Sequence, residues 1–215
     1  MGKNPNFDPD NLDTISEYAT AIGLLTIYWA TLENTLLVVI ERLMPTDETT
    51  ARLIGTSLDK AAARATFIQR LVYRPNSSPS PEWADCIAGM CNQISNSLAP
   101  KRNRLIHDDW LPRENIITRT NLALKVGKSS AFEAKTLIQN EAAPSHISEI
   151  YDLTSRVVSI MVHITMQSLL FTIWKQQGKI PKLPEQAIRA SKGLPPDHVA
   201  PIVQALQPPP QSSQV

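Results

Sequence analysis

At 215 residues, 42% hydrophobic and 19% charged, the chain is long and apolar enough for one domain with a sizeable core, and this composition excludes global disorder. The net charge of +1 excludes an overall basic field, so any nucleic-acid contact must rest on a local patch. Cys86 and Cys91 stand five apart, which fits neither a redox pair nor a zinc spacing; they read as two reduced thiols.

The start, residues 1–11, reads as flexible. Met1 to Asp13 is polar and carries Asp10 and Asp13, so no signal peptide is expected. Met1-Gly2 opens like a myristoylation site, but Asn6 stands where Ser or Thr is needed, and a cytoplasmic protein is the expectation.

The first helix is the clearest element. Ile15, Tyr18, Ile22, Leu25, Trp29, Leu32, Leu36, Val39 and Leu43 recur in 3-4 alternation, the seam of a helix packed in a bundle. Asp13 suits its N-cap and Pro45 its stop. Leu24, Ile27, Leu37, Val38 and Ile40 lie off the seam, so a second face must be covered by another helix or a second copy.

A second helix is expected from about Thr49 to Tyr73, with Lys60, Arg64, Arg70 and Arg74 on a basic side. Pro75 to Pro81 is a loop by composition; Ser80 then caps a third helix with Pro81 at its first position and Trp83, Ile87, Met90, Ile94 and Leu98 on its apolar face. Pro100 must kink or restart it.

Beyond His107 the texture changes. Trp110-Leu111-Pro112 breaks any helix, residues 115–120 and 123–126 have strand character, Gly127 to Ser130 reads as a turn, and Ala131 to Leu137 as a return strand. A β-hairpin insert over about 110–138 is expected. Ser145 caps a last long helix to about Gln177, seamed by Ile150, Leu153, Val157, Ile160, Ile164, Phe171 and Trp174. Eighteen uncharged residues separate Arg156 from Lys175, borderline for a membrane span. Ser159, His163, Thr165, Gln167, Ser168 and Thr172 interrupt them, so a buried bundle helix is expected, with His163 as a core or interface histidine. From Gly178 onward 8 of 38 residues are proline, and this tail, 178–215, reads as extended or disordered, with a docking peptide as the functional alternative.

Arg102-Asn103-Arg104-Leu105-Ile106-His107 carries the chemistry. It sets a guanidinium, an amide and an imidazole within six residues, able to hold a phosphate, orient a nucleophile and move a proton. If Pro100 opens a helix, Lys101, Arg102, Asn103 and Arg104 fill its first turn, where free N–H groups favour an anion and cations cost a few tenths to about 1 kcal/mol each. Such cations await a negative partner, either a phosphate backbone or acidic residues of the protein. Asn103 and His107, four apart, share a helix face, while Arg102 and His107 stand roughly 140° apart around it.

The spacing Arg-polar-x-x-x-His resembles the signature of the HEPN superfamily, small helical bundles many of which are RNA endonucleases. Trp29-Ala30-Thr31-Leu32-Glu33 is similar to a Trp-x-x-Leu-Glu element of bacterial HEPN-like chains, and the order of elements over roughly residues 12–177 fits as well. The resemblance implies an all-α up-and-down bundle of four to five helices. It also implies an RNA endonuclease of toxin or phage-defence type, independent of metal and of any cofactor, and a homodimer whose two motifs form one composite site. In it Arg102 would stabilise the phosphorane, Asn103 would orient the site, His107 would act as general acid/base, and Lys101 and Arg104 would add RNA affinity. Histidine's unperturbed pKa, about 6.5, offers both protonation states. One departure is Asp108-Asp109 after His107, where a small neutral residue is common.

Two other readings stand beside it. Arg102 paired with Glu33 and His107 with Asp108 would form a satisfied polar knot, in a non-catalytic module that binds a protein partner or antitoxin through its tail or dimer face. A membrane anchor through the last helix is the third.

Overall fold

The computed structural model describes residues 12–107, 109–113, 116–124, 137–141, 146–180 and 182–194. The expected flexible start, the Gly127–Ser130 turn and the last twenty-one residues of the Pro-rich tail (195–215) lie outside them.

The chain is a helical bundle, in keeping with the all-α class. Helix α1 (Leu12–Leu43) carries the predicted seam: Leu25, Trp29, Leu32, Leu36, Val39 and Leu43 are all buried. The single second helix expected from Thr49 to Tyr73 is instead two, α2 (Glu48–Ser57) and α3 (Ala61–Val72). Leu58 and Lys60 between them are extended, and the break carries neither glycine nor proline, so no local punctuation announces it. Gly55 lets α2 lie against α1, since a Cβ there would meet Leu37 Cδ2 at 2.9 Å. Arg64 then closes the corner, donating to the carbonyls of Gly55 (3.3 Å) and Glu33 (3.4 Å).

Helix α4 (Pro81–Gln93) begins as predicted, with Ser80 Oγ accepting from the Trp83 N–H at 3.2 Å and Pro81 in the first turn. It runs antiparallel to α3, because Gln69 donates to the Ala88 carbonyl and Ser95 to that of Ala62. Trp83 stacks on Phe171 near one end of α6 (Ile147–Gln177), and Arg156 reaches Ser97 towards the other, so α4 and α6 are antiparallel too. Helices α1 and α6 run parallel: Tyr18 meets the Ile147 backbone and Arg42 donates to Ser168 Oγ at 2.6 Å. The split of α3 from α2 makes this so, since it adds one reversal of direction. Helix α6 starts after His146, which caps it without a side-chain bond, rather than from Ser145, which lies outside the described residues.

Between α5 (Ala99–His107) and α6 three antiparallel strands are described: β1 (Asp109–Arg113), β2 (Ile116–Leu124) and β3 (Leu137–Glu141), in that order across the sheet. The two-stranded hairpin expected here is not supported. β2 is unbroken, it pairs first with β1 (Trp110 opposite Arg119), and β3 begins only at Leu137. Pro112, read as a helix breaker alone, sits in an edge strand, where a missing N–H is tolerated.

The tail expected to be extended from Gly178 contains a short helix, α7 (Glu185–Ser191), with Ala187 and Ala190 buried against α4 and α6. Its two alanines are too small to register as an apolar stripe among prolines.

Candidate functional site

Pro100 does not start a helix. A wide π-helical turn, Ile94–Leu98, precedes it, and the Ala99 N–H bonds back to the Ile94 carbonyl. The turn takes up the missing N–H and the ring clash of a proline four residues beyond a carbonyl. The chain therefore passes continuously from α4 into α5, and the open helix start expected to hold an anion at Lys101 to Arg104 is not formed.

Helix α5 distributes the motif over three faces. Leu105 is buried in the core, and Trp110 just beyond the helix donates to its carbonyl at 2.9 Å while packing on Tyr18. Arg102 is half-buried and turned towards α1, its Cζ 5.7 Å from the centre of the Trp29 ring, where an indole face attracts a cation. Its Nη1 donates to Asn103 Oδ1 at 3.2 Å, and its buried Nε meets no partner among the described residues. Asn103 and His107 are exposed, one turn apart on the outer face.

The ion pair of Arg102 with Glu33 is not formed. Glu33 Oε1 instead accepts from Trp29 Nε1 at 3.0 Å, which fixes the ring under the guanidinium. Among the described residues no carboxylate pairs with Arg102; Asp108 and the side chain of Asp109 lie outside them.

Lys101 and Arg104, both exposed, point to a third side. They line a cleft of about 640 Å³ against α6, whose wall carries Glu149, Asp152 and Arg156. Arg156 is held at the cleft edge by Ser97 Oγ (3.3 Å) and Gln93 Oε1 (3.5 Å). Arg102, Asn103 and His107 do not line this cleft. The motif thus separates into a stacked cation, an exposed amide and imidazole, and two cations over a cleft of mixed charge.

This chain matches no family model, no curated protein and no solved structure. The site must therefore be read from its own groups.

Among the described residues no cluster of three or more His, Cys, Asp or Glu is arranged to hold a metal ion. Cys86 and Cys91 are unpaired buried thiols, and burial pushes Cys86 up to about 11 and Cys91 further in the same direction. His163 is half-buried on α6, and loss of solvent holds its pKa below the usual histidine value.

Sequence reasoning missed the α6 wall. Glu149, Asp152 and Arg156 recur at helical spacing along one flank of the apolar seam, and that polar strip was the available signal. It also counted Trp29 as core alone, although the ring serves the core and Arg102 at once.

Proposed function

We propose that this chain is a ribonuclease of the HEPN type, acting by 2′-hydroxyl transesterification at a composite site formed by two copies of the chain, with His107 as general acid/base, Arg102 as the cation at the scissile phosphate, Asn103 as the orienting amide, and Lys101 and Arg104 as contributors to RNA affinity. The observation that carries this reading is Arg102: a guanidinium stacked on Trp29, bonded to Asn103 and matched by no described carboxylate, on the same helix as an exposed imidazole one turn beyond Asn103. An unmatched, pre-oriented guanidinium suits the planar oxygens of a phosphate.

In the reaction the neutral imidazole takes the proton of the 2′-hydroxyl. The freed oxygen bonds to the adjacent phosphorus, and the bond from phosphorus to the 5′-oxygen breaks. The imidazolium returns a proton to that leaving oxygen. The products are a 2′,3′-cyclic phosphate and a 5′-hydroxyl. Charge gathers on the non-bridging oxygens in the transition state, where Arg102 acts. A toxin or phage-defence role belongs to the same reading.

The test is incubation of purified protein with mixed-sequence RNA in EDTA, alongside His107→Ala and Arg102→Ala. Cyclic-phosphate ends that vanish in both folded variants support the reading. Intact RNA with the wild type over long incubation overturns it. A second reading, a non-catalytic interaction module, is favoured by a different observation, the uncharged outer face of α1 and α6.

A further inference from the structure

The cleft between α5 and α6 keeps opposite charges apart. Lys101 reaches it from α5, and Glu149, Asp152 and Arg156 reach it from α6. Among the described residues none of these four makes an ion pair, although Asp152 and Arg156 stand one helical turn apart, where such pairs ordinarily close. Arg156 is drawn off instead to two uncharged oxygens, Gln93 Oε1 and Ser97 Oγ. Two cations and two carboxylates thus face one space without neutralising each other.

That arrangement selects the ligand. An inorganic anion gains from the cations and loses against the carboxylates, and a polyamine does the reverse. A molecule with a negative group at one end and N–H or O–H donors at the other gains from both. The volume of about 640 Å³ is ordinary for a site holding a small organic ligand and far exceeds the needs of a free amino acid. The base of the cleft is apolar: Leu105 and Leu153 line it and are both buried, so a flat ring can lie on them.

The order of residues along α6 assigns the ends of that ligand. Glu149 is in the first turn, Asp152 one turn on, and Arg156 about 10 Å from Glu149 along the axis, the span of a nucleotide from base edge to phosphate. Arg156 donates to Ser97, which stands one turn before Lys101 in the continuous α4–α5 rod, so these two cations share one end. A phosphate suits that end. Asp152, midway, is placed to accept from a ribose hydroxyl. Glu149, at the far end, offers two oxygens side by side and no proton to give. Among the four RNA bases only guanine sets two N–H donors, at N1 and N2, next to each other on its Watson–Crick edge. Adenine and cytosine place a ring lone pair beside their amino group, and uracil flanks its one N–H with carbonyls, so each turns an acceptor towards the carboxylate.

We propose that this cleft is a guanine-nucleotide site, with the phosphate at Lys101 and Arg156, the ribose hydroxyl at Asp152 and the base edge at Glu149. Its use as a base-reading subsite for RNA rests on the ribonuclease reading above. Lys101 adjoins Arg102 in the chain and Arg104 stands one turn before His107, so a strand leaving the cleft passes on to the motif. Cleavage at a fixed offset from guanosine follows.

Isothermal titration calorimetry of the full chain with nucleoside monophosphates tests the site without cleavage. Guanosine monophosphate binds; inosine monophosphate, which lacks the N2 amino group, binds on the order of 10-fold more weakly, and adenosine monophosphate on the order of 100-fold. Glu149→Gln, which replaces one accepting oxygen by a donor, abolishes the preference for guanine over adenine. Asp152→Asn abolishes the preference for guanosine monophosphate over its 2′-deoxy form, and Lys101→Ala weakens every nucleotide alike. All three side chains are exposed, and circular dichroism checks that the variants fold. No binding at roughly 1 mM guanosine monophosphate, equal affinity for guanine and adenine, or a Glu149→Gln variant that keeps the preference overturns the proposal. Mapping of cleaved ends on mixed-sequence RNA separates it from the ribonuclease reading. Cuts at one offset from guanosine, scattered over all four bases in Glu149→Gln, support both. Guanine-selective binding with intact RNA keeps the site and removes the ribonuclease. Cuts indifferent to guanosine overturn the role of the cleft in RNA recognition and leave the ribonuclease standing.

Discussion

Arg102 lies over Trp29, its Cζ 5.7 Å from the ring centre, while the same ring is anchored by its Nε1 donating to Glu33 at 3.0 Å. One aromatic side chain of α1 thus sets the direction of a cation on α5. Trp29→Phe keeps a ring in place but removes the N–H, costing about 1 kcal/mol for the lost hydrogen bond. Trp29→Leu also removes the platform and leaves a void, costing about 2–3 kcal/mol. Urea unfolding measures both. Under the proposed function, Trp29→Phe retains RNA cleavage, and Trp29→Leu lowers it at temperatures where the variant is still folded.

What could be read in the residues was what repeats. The 3-4 seam of α1, Ser80 with Pro81, and the end of α6 at Gly178, which adopts a left-handed φ of 69°, all follow from local pattern and capping chemistry. What could not be read was set by contacts distant in sequence. Leu58-Asp59-Lys60 breaks a helix that its composition would continue, because Arg64 finds the Gly55 and Glu33 carbonyls there. The wide turn before Pro100 erased a helix start that proline spacing suggested. The triplet Arg102, Asn103 and His107 was visible as a motif, yet its separation from Lys101 and Arg104 depends on where α1 and α6 lie around α5.

His163 gives the fold a pH dependence with a definite sign. Burial holds its folded-state pKa below the ordinary value, so the unfolded chain binds the proton more readily. Stability is complete above about pH 6.5, falls as pH drops through that unfolded-state pKa, and levels off below the depressed folded-state value. Urea midpoints of the wild type should therefore decline across this window. His163→Gln should flatten that part of the profile; an unchanged slope would assign the decline elsewhere.

Helix α7 depends on one glycine. A Cβ at Gly89 would meet Ser191 Cβ and its carbonyl oxygen, both at 2.9 Å, and a backbone oxygen cannot step aside as a flexible side chain can. Gly89→Ala should lift α7 from α4 at a cost of about 1–3 kcal/mol. Cys86 reports the change, since its thiol is buried and hydrogen-bonded to Ser191. With its pKa pushed up to about 11, the wild-type thiol should resist an aromatic disulfide reagent at pH 8. Gly89→Ala should label it, and proteases should cut the 179–194 segment faster.

Gln167 is fully buried, and neither its amide oxygen nor its nitrogen meets a hydrogen-bond partner among the described residues. It lies one turn before Phe171, which stacks on Trp83 with ring centres 5.4 Å apart, so the amide is surrounded by apolar bulk. An amide desolvated without a partner weighs against folding by about 1–3 kcal/mol, and a side chain of similar shape without polar atoms avoids that penalty. Gln167→Met matches its length and flexibility. The variant should unfold at higher urea with an unchanged slope, gaining about 1–2 kcal/mol. Gln167→Ala, which removes the same atoms but leaves a cavity, should not gain. A loss of stability in the Met variant would mean that the amide has a partner in solution, and the two variants together separate that case from simple overpacking.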